Sequence, residues 1–120
     1  SRTFSEPEAI ERNILYLVGE WDIQPEYAKN KSSDGSIIFK YKARDVYFVG
    51  SGKNGVKVKV LLDGQAVPES LRGEDVAADG TFSVSEERLN KIIQGDSVGE
   101  HLLELRVRGS GLKAFTLTFG

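Results

Sequence analysis

The sequence predicts an all-β fold, an antiparallel sandwich or barrel, with at most one or two short helices. Two observations carry that prediction. Segments of alternating apolar and polar residues recur about every ten positions, and glycine-rich turns separate them at residues 51–55, 63–64, 79–80 and 109–111. Short strands at that spacing, without long intervening helices, indicate antiparallel layers rather than a parallel sheet. The 120 residues favour one domain, large enough to bury a core.

Residues 6–17 read as a helix, with Ser5 as capping residue and Pro7 in the first turn. Residues 13–19 offer a short strand, and another lies near Ile23. In "SIIFKYKA", Ile37, Phe39 and Tyr41 alternate with Ile38, Lys40 and Lys42, a strand with one strongly apolar face. "DVYFVG", residues 45–50, is apolar on both faces and reads as a central strand. Between these two, Arg44-Asp45 marks a tight turn in which Asp45 accepts backbone N–H groups and Arg44 pairs with an acid or reaches a ligand.

"VKVKVLL", residues 56–62, has clean period-two alternation, with Lys57 and Lys59 on the wet face. "TFSV", residues 81–84, is a shorter strand. Residues 85–95 admit two readings: a capped helix, because Leu89, Ile92 and Ile93 lie at helical spacing, or a strand with irregular ends. "HLLELRVR" sets Leu103, Leu105 and Val107 against Glu104, Arg106 and Arg108. In "KAFTLTFG", Phe115, Leu117 and Phe119 face one way and Ala114, Thr116 and Thr118 the other.

Two Asp-Gly pairs, Asp63-Gly64 and Asp79-Gly80, stand between strand segments. Asp-Gly supplies the positive backbone torsions of a tight hairpin. A calcium loop needs oxygen ligands at alternate positions and a closing carboxylate, and the neighbours of Asp63 do not provide them. Both pairs are therefore read as turns, and no metal site is expected.

Sixteen basic and 18 acidic residues are spread along the chain, a net charge of −2 that gives no footprint for nucleic acid. No run approaches the ~18 apolar residues of a membrane span. There is no cysteine, which removes disulfides, Cys-x-x-Cys redox pairs and thiolate metal sites. There is no methionine either, and the chain begins Ser1-Arg2-Thr3, so a piece of a longer polypeptide or a processed form is expected. The sole histidine, His101, lacks a nucleophile motif beside it, so no catalytic residue is expected.

Sugar binding is the positive chemistry these residues support best. Sugar rings stack their C–H faces on Trp or Tyr, while hydroxyls pair with amides and carboxylates. Trp21 and Tyr27 flank "DIQPEY", which carries Asp22, Gln24 and Glu26 and is followed by Asn30; Tyr41, Tyr47 and Arg44 are supplements. A sole tryptophan is usually buried, so a structural role is favoured for Trp21; for Tyr27 both roles stay open.

Four pieces then stand in a telling order: "GEWDIQPEYA" (residues 19–28), "FKYKARDVYFV" (39–49), "VLLDGQAVP" followed by "GEDVAADG", and the terminal "GEHLLELRV" with "AFTLTFG". Together they resemble the C-terminal domain that follows the thioredoxin-like domain in DipZ-type proteins and related bacterial thiol-disulfide oxidoreductases. The family tends to carry an aromatic after "RL", where this chain has Asn90. The resemblance implies a jelly-roll β-sandwich over residues 17–120, similar to carbohydrate-binding modules, with residues 1–16 as linker or tail of a preceding domain. It implies a periplasmic or extracytoplasmic location and no catalytic residues or cofactors, the thiol chemistry belonging to an upstream Cys-x-x-Cys domain. The implied partner is a glycan. The alternative is protein docking, onto redox substrates or the chain's own thioredoxin-like domain, with no nucleic acid and no membrane insertion.

Overall fold

Nine strands follow one another along residues 2–120, which the computed structural model describes: β1 (Arg2–Phe4), β2 (Leu15–Ile23), β3 (Ala28–Asn30), β4 (Ser36–Gly52), β5 (Val56–Leu62), β6 (Gln65–Ala66), β7 (Thr81–Val84), β8 (Arg88–Arg108) and β9 (Leu112–Phe119). Among the described residues the one helical element is a 3₁₀ turn at Glu69–Leu71.

The antiparallel jelly-roll sandwich is organised by its two longest strands. β4 has 17 residues and β8 has 21, and each passes through both layers. In the first layer Ile37 and Phe39 of β4 lie opposite Leu105 and Leu103 of β8, with β2 beyond β4 and β5 beyond β8. In the second, Val46 and Phe48 lie opposite Ile93 and Asn90, with β9 and then β3 on the other side of β4. β2 pairs with both β3 and β4, which stitches the layers together along one side. Along the free edge of β8, the Gly73 and Asp75 amides donate to the Ile92 and Lys91 carbonyls.

Period-two alternation decides which side chains enter the core. Val56, Val58, Val60 and Leu62 are buried while Lys57 is exposed, and Leu103, Leu105 and Val107 are buried from β8. A fully buried aliphatic side chain of this size contributes about 1.5–3 kcal/mol. The β5–β6 hairpin closes on Asp63 (φ 55°) and Gly64 (φ 81°), the two positive torsions of a primed two-residue turn. Asp79 makes a different turn: its carboxylate Oδ1 accepts from the Thr81 amide at 3.0 Å and the Thr81 hydroxyl at 2.7 Å. Those two donors, ahead of the charges of Lys57 and Lys59, hold Asp79 below the usual carboxylate range.

Several sequence expectations are corrected here. Residues 6–17 form no helix: Arg12 bridges to Lys40, and β2 begins at Leu15. Residues 88–95, for which helix and strand both stood open, are strand. The helical spacing of Ile92 and Ile93 has another cause, a register shift that lets Val46 oppose Ile93 while Tyr47 opposes Lys91. The unpaired Ile92 is a bulge, so two adjacent residues both point inward, 0% and 1% exposed. Pairing with β4 overrides the local pattern. Arg44-Asp45 is no turn between two strands but a shifted register within continuous β4.

The facing expected for the last strand changes for the same reason. Val49 opposes Thr116 and Gly50 opposes Ala114, so Phe115 is the extra residue of a second bulge. Leu112 and Ala114 face the core before it, and Leu117 and Phe119 after it. Phe115 is released from that row. Gly50 makes this crossing feasible, since a Cβ there would lie 2.7 Å from the Lys113 carbonyl oxygen.

Candidate functional site

The β2–β3 hairpin turns at Gln24-Pro25-Glu26-Tyr27, with the Gln24 amide donating to the Tyr27 carbonyl at 2.8 Å. Proline at the second position presets the torsion such a turn needs. Beside this turn lies a groove of about 260 Å³, bordered by Gln24, Glu26 and Tyr27 from the turn and by Phe115, Thr116 and Leu117 from β9. Leu15, Leu17 and Ile23 of β2 form its apolar wall, and it reaches the core residues Ile37 and Phe48.

Tyr27 and Phe115 stand with ring centroids 5.8 Å apart at 54°, and the Lys113 ammonium lies 4.9 Å from the Tyr27 centroid. The β9 bulge brings Phe115 there; a straight strand would have kept it in the Leu117–Phe119 row. β9 itself is fixed by Asn30, fully buried, whose side-chain amide donates to the Ser32 and Gly109 carbonyls at 2.8 and 2.9 Å. Its Oδ1 accepts from the Leu112 amide at 2.7 Å.

The residues singled out for sugar contact separate into three places. Gln24 and Tyr27 border the groove. Asp22 stands just behind it, both carboxylate oxygens 3.2 Å from the Gln24 side-chain amide. Trp21 is instead fully buried in the core, its indole N–H donating to the Val18 carbonyl at 2.8 Å, and Asn30 is spent on its loop clamp. Tyr41 is buried as well, and its hydroxyl has no partner among the described residues.

Arg44 and Tyr47 gather on Asp45, away from the groove lining. Arg44 Nε and the Tyr47 hydroxyl lie 3.1 and 3.4 Å from Asp45 Oδ2, and the Gly95 amide donates to Oδ1 at 3.3 Å. Burial works upward on Asp45, yet Arg44, the Gly95 amide and Tyr47 together hold it below its ordinary value. The backbone of Asp45 exchanges hydrogen bonds with Gly120, so the cluster anchors the last residue.

His101 forms a separate pair with Asp63, Nδ1 to Oδ2 at 2.7 Å, while Asp63 Oδ1 accepts from the Leu102 amide at 2.9 Å. An ionised carboxylate only accepts, so Nδ1 carries the proton. Partial burial raises Asp63, but the Leu102 amide and His101 outweigh it and the net shift is downward. The pair clamps the β5–β6 turn onto β8. Among the described residues no hydroxyl is hydrogen-bonded to His101, so the arrangement lacks the nucleophile–base contact of acyl transfer.

Phe115, Leu15 and Ile23 were missed as groove residues by sequence reasoning. Leu15 and Ile23 lie within strand segments that were legible, and they are about half exposed, Leu15 paired with β4 and Ile23 with β3.

The comparisons with known proteins come down on the same architecture. The model of the family described as thioredoxin-like C-terminal domain matches residues 1–120. Proteins named DipZ from Mycobacterium bovis and Mycobacterium tuberculosis are each 26% identical over 120 residues, covering 100% of this chain and 15% of theirs. The chain thus spans about one seventh of the length of the curated relatives it matches. A family two carbohydrate esterase from Clostridium thermocellum, solved in complex with cellohexaose, superposes with a TM-score of 0.72 at 18% identity, over 88% of this chain and 31% of that one. An active-site mutant of such an esterase from the same organism gives 0.71. At that identity the likeness is one of fold.

Proposed function

The chain belongs to the thioredoxin-like C-terminal domain family, and from that premise we propose that it is a non-catalytic accessory module, attached to an extracytoplasmic thioredoxin-like redox protein, that binds carbohydrate. It has no cysteine, so thiol–disulfide exchange has no site within these residues. Redox chemistry would reside in a Cys-x-x-Cys domain elsewhere in the parent protein. The extracytoplasmic location follows the family; no helix of the described residues is long and apolar enough to cross a membrane.

The observation that carries the sugar reading is the groove at Tyr27 and Phe115, where aromatic faces stand beside the polar side chains of Gln24 and Glu26. An apolar floor receives the C–H face of a pyranose, and amide and carboxylate groups at the rim receive its hydroxyls. The carbohydrate esterase of like fold, solved with cellohexaose, lends support by analogy only.

A glycan-array screen of the chain, followed by calorimetry on the best ligand, tests this. Tyr27→Ala is expected to weaken binding about tenfold, or ~1.4 kcal/mol, with the melting temperature little changed. Absence of binding across the array, or a Tyr27→Ala variant that binds as wild type, overturns it.

The half-exposed Leu15 and Ile23, 46% and 50%, favour one second reading. They extend the groove wall into an apolar surface of the kind that seats a protein segment, from a redox substrate or from the adjoining thioredoxin-like domain. Leu15→Ser with Ile23→Ser would abolish such docking.

A further inference from the structure

Lys113, which touches the Tyr27 ring, also lines a second hollow of about 400 Å³ with Lys29, Lys53, Ser51, Ser85 and Ser110. No carboxylate lines it. Register brings these groups together: Lys29 on β3 lies opposite Lys113 on β9, and Lys113 opposite Ser51 on β4. Lysines directly opposite on antiparallel strands repel each other, and cross-strand positions usually avoid that pairing.

The repulsion is not relieved by the described residues. Asp22 is the partner of Lys29 on its other side, but its carboxylate faces the Gln24 amide. Among the described residues, the ion pairs use Arg12, Arg44, Arg88, Lys91, His101 and Arg106, and none reaches Lys29, Lys53 or Lys113. The hydroxyls of Ser51, Ser85 and Ser110 make no hydrogen bond to other described residues. A chain of net charge −2 therefore concentrates three ammonium groups and three free hydroxyls in one hollow. Ammonium and hydroxyl donors around a concavity suit the oxygens of a carboxylate or phosphate.

Resting on the carbohydrate reading above, we propose that the ligand is an acidic glycan. Its ring packs at Tyr27 and Phe115, and its carboxylate or phosphate group enters the lysine–serine hollow reached through Lys113. The Gln24–Glu26 side of the groove takes uncharged hydroxyls, so the site is polarised from a carboxylate-bearing rim to a basic end.

The test is an array that presents neutral glycans beside their uronate-bearing and phosphate-bearing counterparts, read with wild type and with the Lys29→Gln/Lys53→Gln double variant. At low salt the acidic member of a pair is expected to bind at least about tenfold tighter than the neutral one. The variant should shrink that preference to about twofold or less without weakening the neutral glycan, and added salt should do the same. Whichever acidic counterpart binds tighter identifies the group in the hollow. Equal binding of neutral and acidic members, or a preference that survives in the variant, overturns this inference and leaves the carbohydrate reading standing. No binding by any glycan overturns both.

Discussion

Replacing Trp21 by alanine separates a ring that builds the fold from the rings that border the groove. Trp21 has no exposed surface, and a Cβ added to Gly35 would meet its Cζ2 at 3.3 Å, so the indole fills its space completely. Truncating such a side chain costs about 3–5 kcal/mol, from lost transfer free energy and the cavity left behind. A domain of this size unfolds with roughly 0.25 kcal/mol/K of entropy, at ~2.1 cal/mol/K per residue, so the melting temperature should fall by about 12–20 °C. Trp21→Phe keeps most of the burial and loses the 2.8 Å indole bond to the Val18 carbonyl, for about 1 kcal/mol and ~4 °C. Thermal melts followed by circular dichroism measure both. Because Trp21 is the only tryptophan, wild-type emission should be blue-shifted, poorly quenched by acrylamide and unmoved by a ligand in the groove. A Trp21→Ala melt within about 4 °C of wild type, or emission that shifts on glycan binding, would refute the assignment of this ring to the core.

Three further perturbations probe the supports of the site. Asn30→Ala strands the Leu112 amide and the Gly109 carbonyl together, and should cost about 2–4 kcal/mol in denaturant titrations while shifting the amide resonances of Phe115. Gly73→Ala sets a methyl group against the Lys91 and Ile92 backbone, so the residue 72–75 segment must leave the edge of β8; a loss of ~3 kcal/mol and faster exchange of the Gly73 amide are expected. Asp63→Asn keeps a side chain that tolerates the left-handed torsion but removes the charge facing His101. The folded-state value of Asp63 is depressed, so its stabilisation is present above the ordinary carboxylate range near ~4 and is lost as the pH falls through the folded value. The stability gap between wild type and Asp63→Asn should therefore be open at neutral pH and close in acid; a gap that widens in acid would contradict it.

How much of this was legible in the sequence depends on whether one strand at a time sufficed. The alternation of Val56, Val58 and Val60 with Lys57 and Lys59, and the Asp63-Gly64 turn, are local signals, and they translate directly into β5 and its hairpin. Gln24 and Tyr27 share the groove because the turn that carries them is also local. Bulges are not local. One extra residue flips the facing of everything beyond it, so Ile92-Ile93 imitated a helix and Phe115 was assigned to the wrong row. The hollow of Lys29, Lys53 and Lys113 draws on three separated segments whose adjacency only strand pairing creates.

The way the sheet ends bears on the protein-docking reading. Partners that bind by adding a strand need a free edge with several residues of unpaired backbone. Here the terminal strands are β1 with three residues, β6 with two and β7 with four. Along the first half of β8, the amides of Gly73 and Asp75 already occupy the edge carbonyls. On the opposite side β2 pairs with both β3 and β4. Such short edges offer a guest strand only a few ladder bonds, each worth about 0.5–1.5 kcal/mol net, against the entropy of ordering the guest. For a protein partner that binds through side chains, Leu15, Leu17 and Ile23 place those contacts in the same groove as Tyr27. Sugar and protein then compete for one site, so a peptide that displaces a bound glycan would mark both readings as uses of a single surface, whereas simultaneous binding would require a second one.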